Sequence, residues 1–76
     1  MAKLPRISGA EVIKILSKFF GFRALRQRGS HIVLKKEMPE GKIGTVVPMH
    51  PEIKIGTLKG ILEQAKISVE EFSKYV

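Results

Sequence analysis

The sequence predicts an α+β fold in which helices cover one face of a three-stranded antiparallel sheet, in the order helix, three strands, helix, short helix. Two patterns predict it. Serine caps followed by apolar residues at helical spacing occur near both ends of the chain, and strand-forming residues flank a Gly-Ser pair in the middle. The 76 residues suffice for one small domain with one core, and we expect residues 1–76 to form it.

The first helix is predicted over residues 8–20. Ser8 and Glu11 have the spacing of a capping box, in which the Ser8 side chain accepts from the Glu11 amide and the Glu11 side chain reaches back to the Ser8 amide. Gly21 stands where a residue in the left-handed conformation ends a helix. The apolar side of this helix comprises Val12, Ile13, Leu16, Phe19 and Phe20.

Two further helices are predicted after the strands. A second capping box, Ser68 with Glu71, begins a short third helix that should run to about Lys74. Gly60 lies inside the second helix, where glycine costs about 1 kcal/mol relative to alanine, so we expect close packing against another element there. The apolar positions of the second helix are Ile55, Leu58, Ile61, Leu62 and Ala65.

A β-hairpin is predicted in the middle of the chain. Residues 22–28 and 31–36 flank Gly29-Ser30, a two-residue loop with glycine first, which suits a type II′ turn. Residues 43–47 are predicted as a third strand that ends at Pro48.

The length of the loop predicts the register of the hairpin. The expected pairs are Arg28 with His31, Gln27 with Ile32, Arg26 with Val33, Leu25 with Leu34, and Ala24 with Lys35. Because side chains alternate between the faces of a sheet, the core face should carry Leu25, Ile32 and Leu34. The open face should carry Arg26, Arg28, His31, Val33 and Lys35. This order of elements resembles a double-stranded-RNA-binding-domain fold, which by itself gives no function.

The charge balance predicts a polyanionic partner. Fourteen Lys and Arg face seven Asp and Glu, so the formal net charge is +7 on a small body, which favours nucleic acid. A merely soluble basic protein is the alternative explanation. The absence of cysteine and the presence of only two histidines argue against a metal site, and no cofactor is expected.

The N-terminal residues lack the apolar run of a signal peptide, and no stretch approaches the roughly 20 apolar residues of a membrane span. We therefore expect a cytoplasmic protein without a membrane partner.

His31 is the main candidate for chemistry. Histidine gives and takes protons near neutral pH, and such a group in a cationic field suits chemistry on a phosphodiester. A polar strand residue beside a turn is the alternative explanation. Arg26, Arg28, Lys35 and Lys36 could stabilise the charge on the phosphate or hold the RNA backbone, with Arg28 the first choice. Gly29 and Ser30 are expected to form the turn that supports His31.

A set of short segments in a fixed order points to a family. They are Arg26–His31, Val47–His50, Ile55–Leu58 with Ile61-Leu62, Ala65–Ser68, and Glu71-Phe72. Together they resemble the HicA-type toxins, small ribonucleases of toxin–antitoxin pairs, over nearly the whole chain. Pro51 departs from the pattern, because a glycine usually follows the second histidine.

The resemblance implies the toxin of a type II toxin–antitoxin system, an endoribonuclease that cleaves mRNA without a metal and is inhibited by a HicB-type antitoxin. It implies that His31 is the catalytic acid or base. His50 is either a second acid or base, an antitoxin contact, or a structural residue of a rigid connector, which we favour. Gly56-Thr57 is either a phosphate site or, as we prefer, only a helix start.

Two other function classes remain open on the sequence. A non-catalytic double-stranded-RNA-binding module would use the same basic face without chemistry, and a basic adaptor would use it to bind an acidic protein.

Overall fold

The chain folds as an α+β unit, and the computed structural model describes residues 4–76; residues 1–3 of the predicted domain lie outside the described residues. In chain order the elements are α1 (Gly9–Phe19), β1 (Arg23–Arg28), β2 (His31–Met38), β3 (Gly41–Pro48), α2 (Ile55–Ala65) and α3 (Val69–Ser73). The strands form one antiparallel sheet in the order β1-β2-β3. The predicted fold class and order of elements are confirmed. Within residues 4–76 no helix has the length and hydrophobicity to cross a membrane.

Serine caps begin α1 and α3 as predicted. The Glu11 amide donates to Ser8 Oγ at 3.1 Å, but the Glu11 carboxylate accepts from the Ser8 hydroxyl at 3.2 Å, so the bond at this end differs from the expected box. At Ser68 both bonds of the box form, with the Glu71 amide donating to Ser68 Oγ at 3.1 Å and the Ser68 amide donating to the Glu71 carboxylate at 3.4 Å. Gly21 has a φ of 77°, which confirms the predicted left-handed end of α1.

The core lies between the helices and one face of the sheet. Alternate residues of β2 face the helices, so Leu34 is fully buried and Ile32 packs at its margin. Thr45 of β3 is buried on the same side, and its hydroxyl donates to Oε1 of Gln64 on α2 at 2.8 Å. The buried apolar side chains are Val12, Ile15, Leu16, Phe22, Leu34, Val47, Ile53, Leu58, Ile61, Leu62, Ala65 and Phe72.

The register of the hairpin is confirmed near the turn and wrong beyond it. Three pairs, from Arg28–His31 to Arg26–Val33, form as predicted. A β-bulge at Leu25 then places an extra residue on β1, so that Ala24 pairs with Leu34 and Arg23 pairs with Lys35.

The bulge changes the face on which Leu25 lies. Leu25 is 54% exposed and lines a groove with Arg23 and Lys35, so its predicted place in the core is wrong. Phe22, which precedes β1, is buried in the core instead.

Close packing of a helical glycine occurs at Gly9 and not at Gly60. A Cβ on Gly60 would meet no heavy atom within 4 Å, so the expected packing reason for that glycine is wrong. A Cβ on Gly9 would overlap the carbonyl oxygen of Pro48. The Gly9 amide also donates to the carbonyl of His50 at 2.9 Å, so the start of α1 lies directly against the segment that follows β3.

The two glycines predict opposite effects of the same substitution. Gly9→Ala should lower the free energy of unfolding by about 1–3 kcal/mol, because backbone must move to accept the methyl group. Gly60→Ala should raise it by up to about 1 kcal/mol, because alanine favours the helix and the new methyl group meets open space. Urea unfolding of both variants measures this, and a Gly9→Ala variant as stable as the parent chain would contradict the packing.

The bulge predicts that two leucines of the hairpin differ in their contribution to stability. Leu34→Ala should cost about 2–5 kcal/mol of unfolding free energy, as expected for a fully buried leucine. Leu25→Ala should cost about 1 kcal/mol or less, because half of that side chain is already in water. Equal losses in thermal or urea unfolding would show that Leu25 belongs to the core after all.

Candidate active site

The Gly29-Ser30 turn fixes the position of His31. Gly29 has a φ of 60°, whereas Ser30 is absent from the residues with positive φ, as expected for a type II′ turn. The side-chain amide of Gln27 donates to the Gly29 carbonyl at 2.8 Å and stabilises the turn. Arg28 and His31 are therefore paired directly across the ladder.

The face of the sheet that is turned away from the helices is cationic. Alternate residues of β2, beginning with His31, point to this face, and so do the β1 residues that pair with them. Those β1 residues are Arg28, Arg26 and Arg23, in that order along the strand. Lys35 and Lys42 lie at the far end with Arg23 and Glu37, where they line a common groove. Among the described residues none of the five cations is in an ion pair. We call this surface, with Arg23, Arg26, Arg28, His31, Val33, Lys35, Glu37, Lys42 and Val46, the open face.

Lys36 is not part of the open face. It follows Lys35 on the same strand and so points to the opposite side, where it is half-buried. Its Nζ lies 5.9 Å from the centre of the Phe22 ring. Of the four cations predicted to act beside His31, the fold brings Arg26, Arg28 and Lys35 to its face and places Lys36 elsewhere.

The two histidines line one cleft at the end of the sheet. His31 pairs with Pro48 at the last position of β3. The next amide, that of Met49, donates to the Ser30 carbonyl at 2.6 Å, and the His50 carbonyl is bonded to the start of α1. We call this site the histidine cleft; it is lined by His31, Pro48, His50, Glu52, Ile53, Lys54 and Thr57.

Three further residues of the histidine cleft carry polar groups. Glu52 forms an exposed ion pair with Arg6 at 3.7 Å, so its carboxylate is partly neutralised. Lys54 precedes the first turn of α2, which has no side-chain cap and no acidic residue, and Thr57 lies in that turn. The partial positive charge of a helix N-terminus adds to that of Lys54. The cleft therefore combines two imidazoles with one lysine, one ion-paired carboxylate and the start of a helix.

Sequence reasoning did not select Glu52 or Lys54 as site residues. Both lie in the connector between β3 and α2, close behind His50. Their position next to the second histidine is the signal that could have found them, once that connector is known to return to the hairpin turn.

Within residues 4–76 no three acidic or histidine side chains come together in a way that could hold a metal ion. Neither imidazole has a side-chain hydrogen bond in this part of the chain. The backbone contacts of Ser30, Met49 and His50 therefore fix the backbone from which the two side chains project.

Comparison with protein families gives one result. A family described as the HicA toxin of bacterial toxin–antitoxin systems matches residues 9–67. The chain belongs to the HicA toxin family. The match runs from the first residue of α1 through the residue that precedes Ser68, and it includes both histidines. Comparisons with curated proteins and with solved structures give no match.

Proposed function

We propose that this HicA-family chain is an endoribonuclease that cleaves mRNA without a metal ion, with His31 as the catalytic acid or base. The observation that carries the proposal is the histidine cleft, which His31 and His50 both line at the end of the cationic open face. Family membership supports a toxin of a toxin–antitoxin pair, and the site supports the chemistry. Residues 1–76 act as a single ribonuclease domain in this proposal.

The reaction requires two proton transfers at opposite sides of one phosphate. A base removes the proton of the 2′-hydroxyl, the 2′-oxygen forms a bond to phosphorus, and the bond from phosphorus to the 5′-oxygen breaks as an acid protonates that oxygen. A positioned histidine typically contributes a factor of about 10² to 10⁴ to such a step. His31 takes one of these roles, and His50 is the candidate for the other because it lines the same cleft.

The cations of the open face suit the charge that develops on the phosphate. Arg28 stands directly across the ladder from His31, and Arg26 lies on the same face two residues back along β1. An arginine can bind two phosphate oxygens at once, which makes Arg28 the first candidate for stabilising the transition state. Arg26 and Lys35 are assigned to the RNA backbone, and Lys36 is not assigned to the site because of its position beside Phe22.

An inhibitor is part of the proposal. The family description names a toxin–antitoxin system, and the partner that we propose is a HicB-type antitoxin that covers the histidine cleft or the open face. The net charge of +7 favours fast association with an acidic protein.

A non-catalytic double-stranded-RNA-binding module is the second candidate function. The row of cations on the open face, which have no ion pair within residues 4–76, supports it equally well, since shape-directed binding of RNA needs phosphate contacts and no acid or base. The two functions differ in whether RNA bound to this face is cleaved.

Replacement of each histidine tests the chemistry. His31→Ala should lower the rate of RNA cleavage in EDTA at least about 10²-fold without changing the melting temperature, because the removed ring is exposed and its role is proton transfer. If His50 is the second group, the bell-shaped pH–rate profile of the parent chain should lose one limb in His50→Ala. The readout is single-turnover cleavage of a labelled RNA across a pH series.

Three outcomes would contradict the catalytic proposal. One is full-rate cleavage by a folded His31→Ala variant, and another is cleavage by the parent chain that EDTA abolishes. Salt-sensitive binding of RNA with no cleavage would instead establish the binding module.

Lys35 and Lys36 form a matched pair for testing the open face. The two residues are neighbours, and each loses one positive charge on substitution by glutamine. Lys35→Gln should weaken RNA binding and lower the slope of log K against log salt by about 0.7–0.9, whereas Lys36→Gln should leave the slope unchanged. Titration of an RNA at several salt concentrations measures both slopes, and equal losses would place the RNA elsewhere.

A further inference from the structure

An aromatic cluster lies at the end of α1 that is remote from the histidine cleft. The rings of Phe19 and Tyr75 stack with centroids 4.3 Å apart and planes 18° apart. The rings of Phe20 and Tyr75 are perpendicular, with planes 86° apart and centroids 5.4 Å apart. The family match ends at residue 67 and so does not include Tyr75.

The stacked pair is only partly buried. Phe19 is 45% exposed and Tyr75 is 42% exposed, so each ring keeps a large accessible surface after the two have packed together. If the contact served only to hold the C-terminal segment on α1, full burial of these rings would stabilise it more than the partial burial that is observed. Exposed large apolar surface of this kind marks an interaction site more often than isolated exposed residues do.

Lysines flank the exposed rings. Lys14 and Lys18 are one helical turn apart on α1 and line the same groove as Phe19 and Tyr75. The Lys18 ammonium lies 5.5 Å from the centre of the Phe19 ring, in the range of a cation–π contact. Glu11 lies at the far end of the groove, where Ser8 holds its carboxylate at the start of the helix.

We propose that Phe19 and Tyr75, with Lys14 and Lys18, form a binding site for single-stranded RNA, in which a base stacks on the rings and the lysines contact the adjoining phosphates. Partly exposed aromatic rings beside cations are typical of single-strand sites, because every base has a face that can stack. A protein partner would also accept exposed rings, but the two lysines and the net charge of +7 favour a polyanion. We call these four residues the stacking platform.

The platform lies within reach of RNA bound at the histidine cleft. The amide of Gly9, at the first position of α1, donates a hydrogen bond to the carbonyl of His50, and Phe19 is the last residue of the same helix. An 11-residue helix is about 16 Å long, which a stacked strand covers in about five nucleotides at about 3.4 Å each. The inference rests on the proposed function for its ligand, and it assigns a second contact to the same RNA.

Tyr75 provides a direct probe of the platform. The chain has one tyrosine and no tryptophan, so its intrinsic fluorescence comes from Tyr75. A 2′-O-methyl single-stranded decamer binds without being cleaved, because its blocked 2′-oxygen cannot attack the phosphate. Titration with this decamer should quench the Tyr75 emission, whereas a trimer, too short to span cleft and platform, should bind at least about tenfold more weakly.

Substitutions separate stacking from charge. Phe19→Leu keeps an apolar side chain but removes the ring, and should raise the Kd for the decamer about tenfold, as expected for the loss of one stacked base. Tyr75→Phe keeps the ring and should bind as the parent chain does, measured by anisotropy. Lys18→Gln should lower the salt slope by about 0.7, whereas Lys59→Gln, at an exposed lysine on α2, should not. Melting temperatures verify that each variant folds.

Two results together would overturn the proposal: anisotropy shows that the decamer binds, but the Tyr75 emission does not change and Phe19→Leu binds as tightly as the parent chain. The exposed rings would then not contact RNA. The outcome is independent of the catalytic proposal. Quenching by the decamer together with no cleavage of unmodified RNA would reject the ribonuclease and retain the platform, whereas cleavage without quenching would reject the platform alone.

Discussion

The arrangement of the site depends on the two-residue turn at Gly29-Ser30. With no further residue in the loop, Arg28 must pair with His31, and the alternation of β2 then assigns every later side chain to the helices or to solvent. Leu34 enters the core for the same reason that His31 and Lys35 stay outside it. One backbone conformation, the positive φ of Gly29, thus determines both the buried side and the cationic side of the sheet.

A second constraint holds the segment that carries the other histidine against the hairpin turn. The connector after β3 is held by backbone bonds on two sides, from Met49 to the Ser30 carbonyl and from Gly9 to the His50 carbonyl. A third bond joins the Ile53 amide to the Ile7 carbonyl at 2.8 Å. None of these three bonds uses the backbone of Pro51, so the departure from the family pattern at Pro51 is compatible with a cleft that both histidines line. The choice of side chain does matter at Gly9, because a Cβ there would overlap the carbonyl oxygen of Pro48.

The features predicted correctly from the sequence are those determined by a few neighbouring residues. Both serine caps, the left-handed Gly21 and the hairpin turn are of this kind, and together they gave the fold class and the face on which His31 lies. The errors arose where a longer-range contact decides. A bulge at Leu25 has no local sequence signal and moves that side chain across the sheet, because two residues of β1 then oppose one of β2.

Long-range contacts also decide the packing of the two helical glycines and the lining of the histidine cleft. Gly60 and Gly9 are both helical glycines, and only the tertiary structure shows which of them faces another backbone. That His31 and His50 share a cleft likewise follows from a return of the chain over 19 residues. Lys36 differs from these cases, because the alternation predicted for β2 already places it on the core side.

The separation of core and open face has an energetic consequence. The buried apolar side chains lie on the helix side of the sheet, and the five cations of the open face are exposed and without ion pairs among the described residues. Crowded like charges repel one another and so destabilise the compact state of a small domain. A polyanion that lies across this face relieves that repulsion only in the folded chain, where the cations stand together. A polyanion bound at the open face therefore raises the free energy of unfolding of the whole domain, including its thin core.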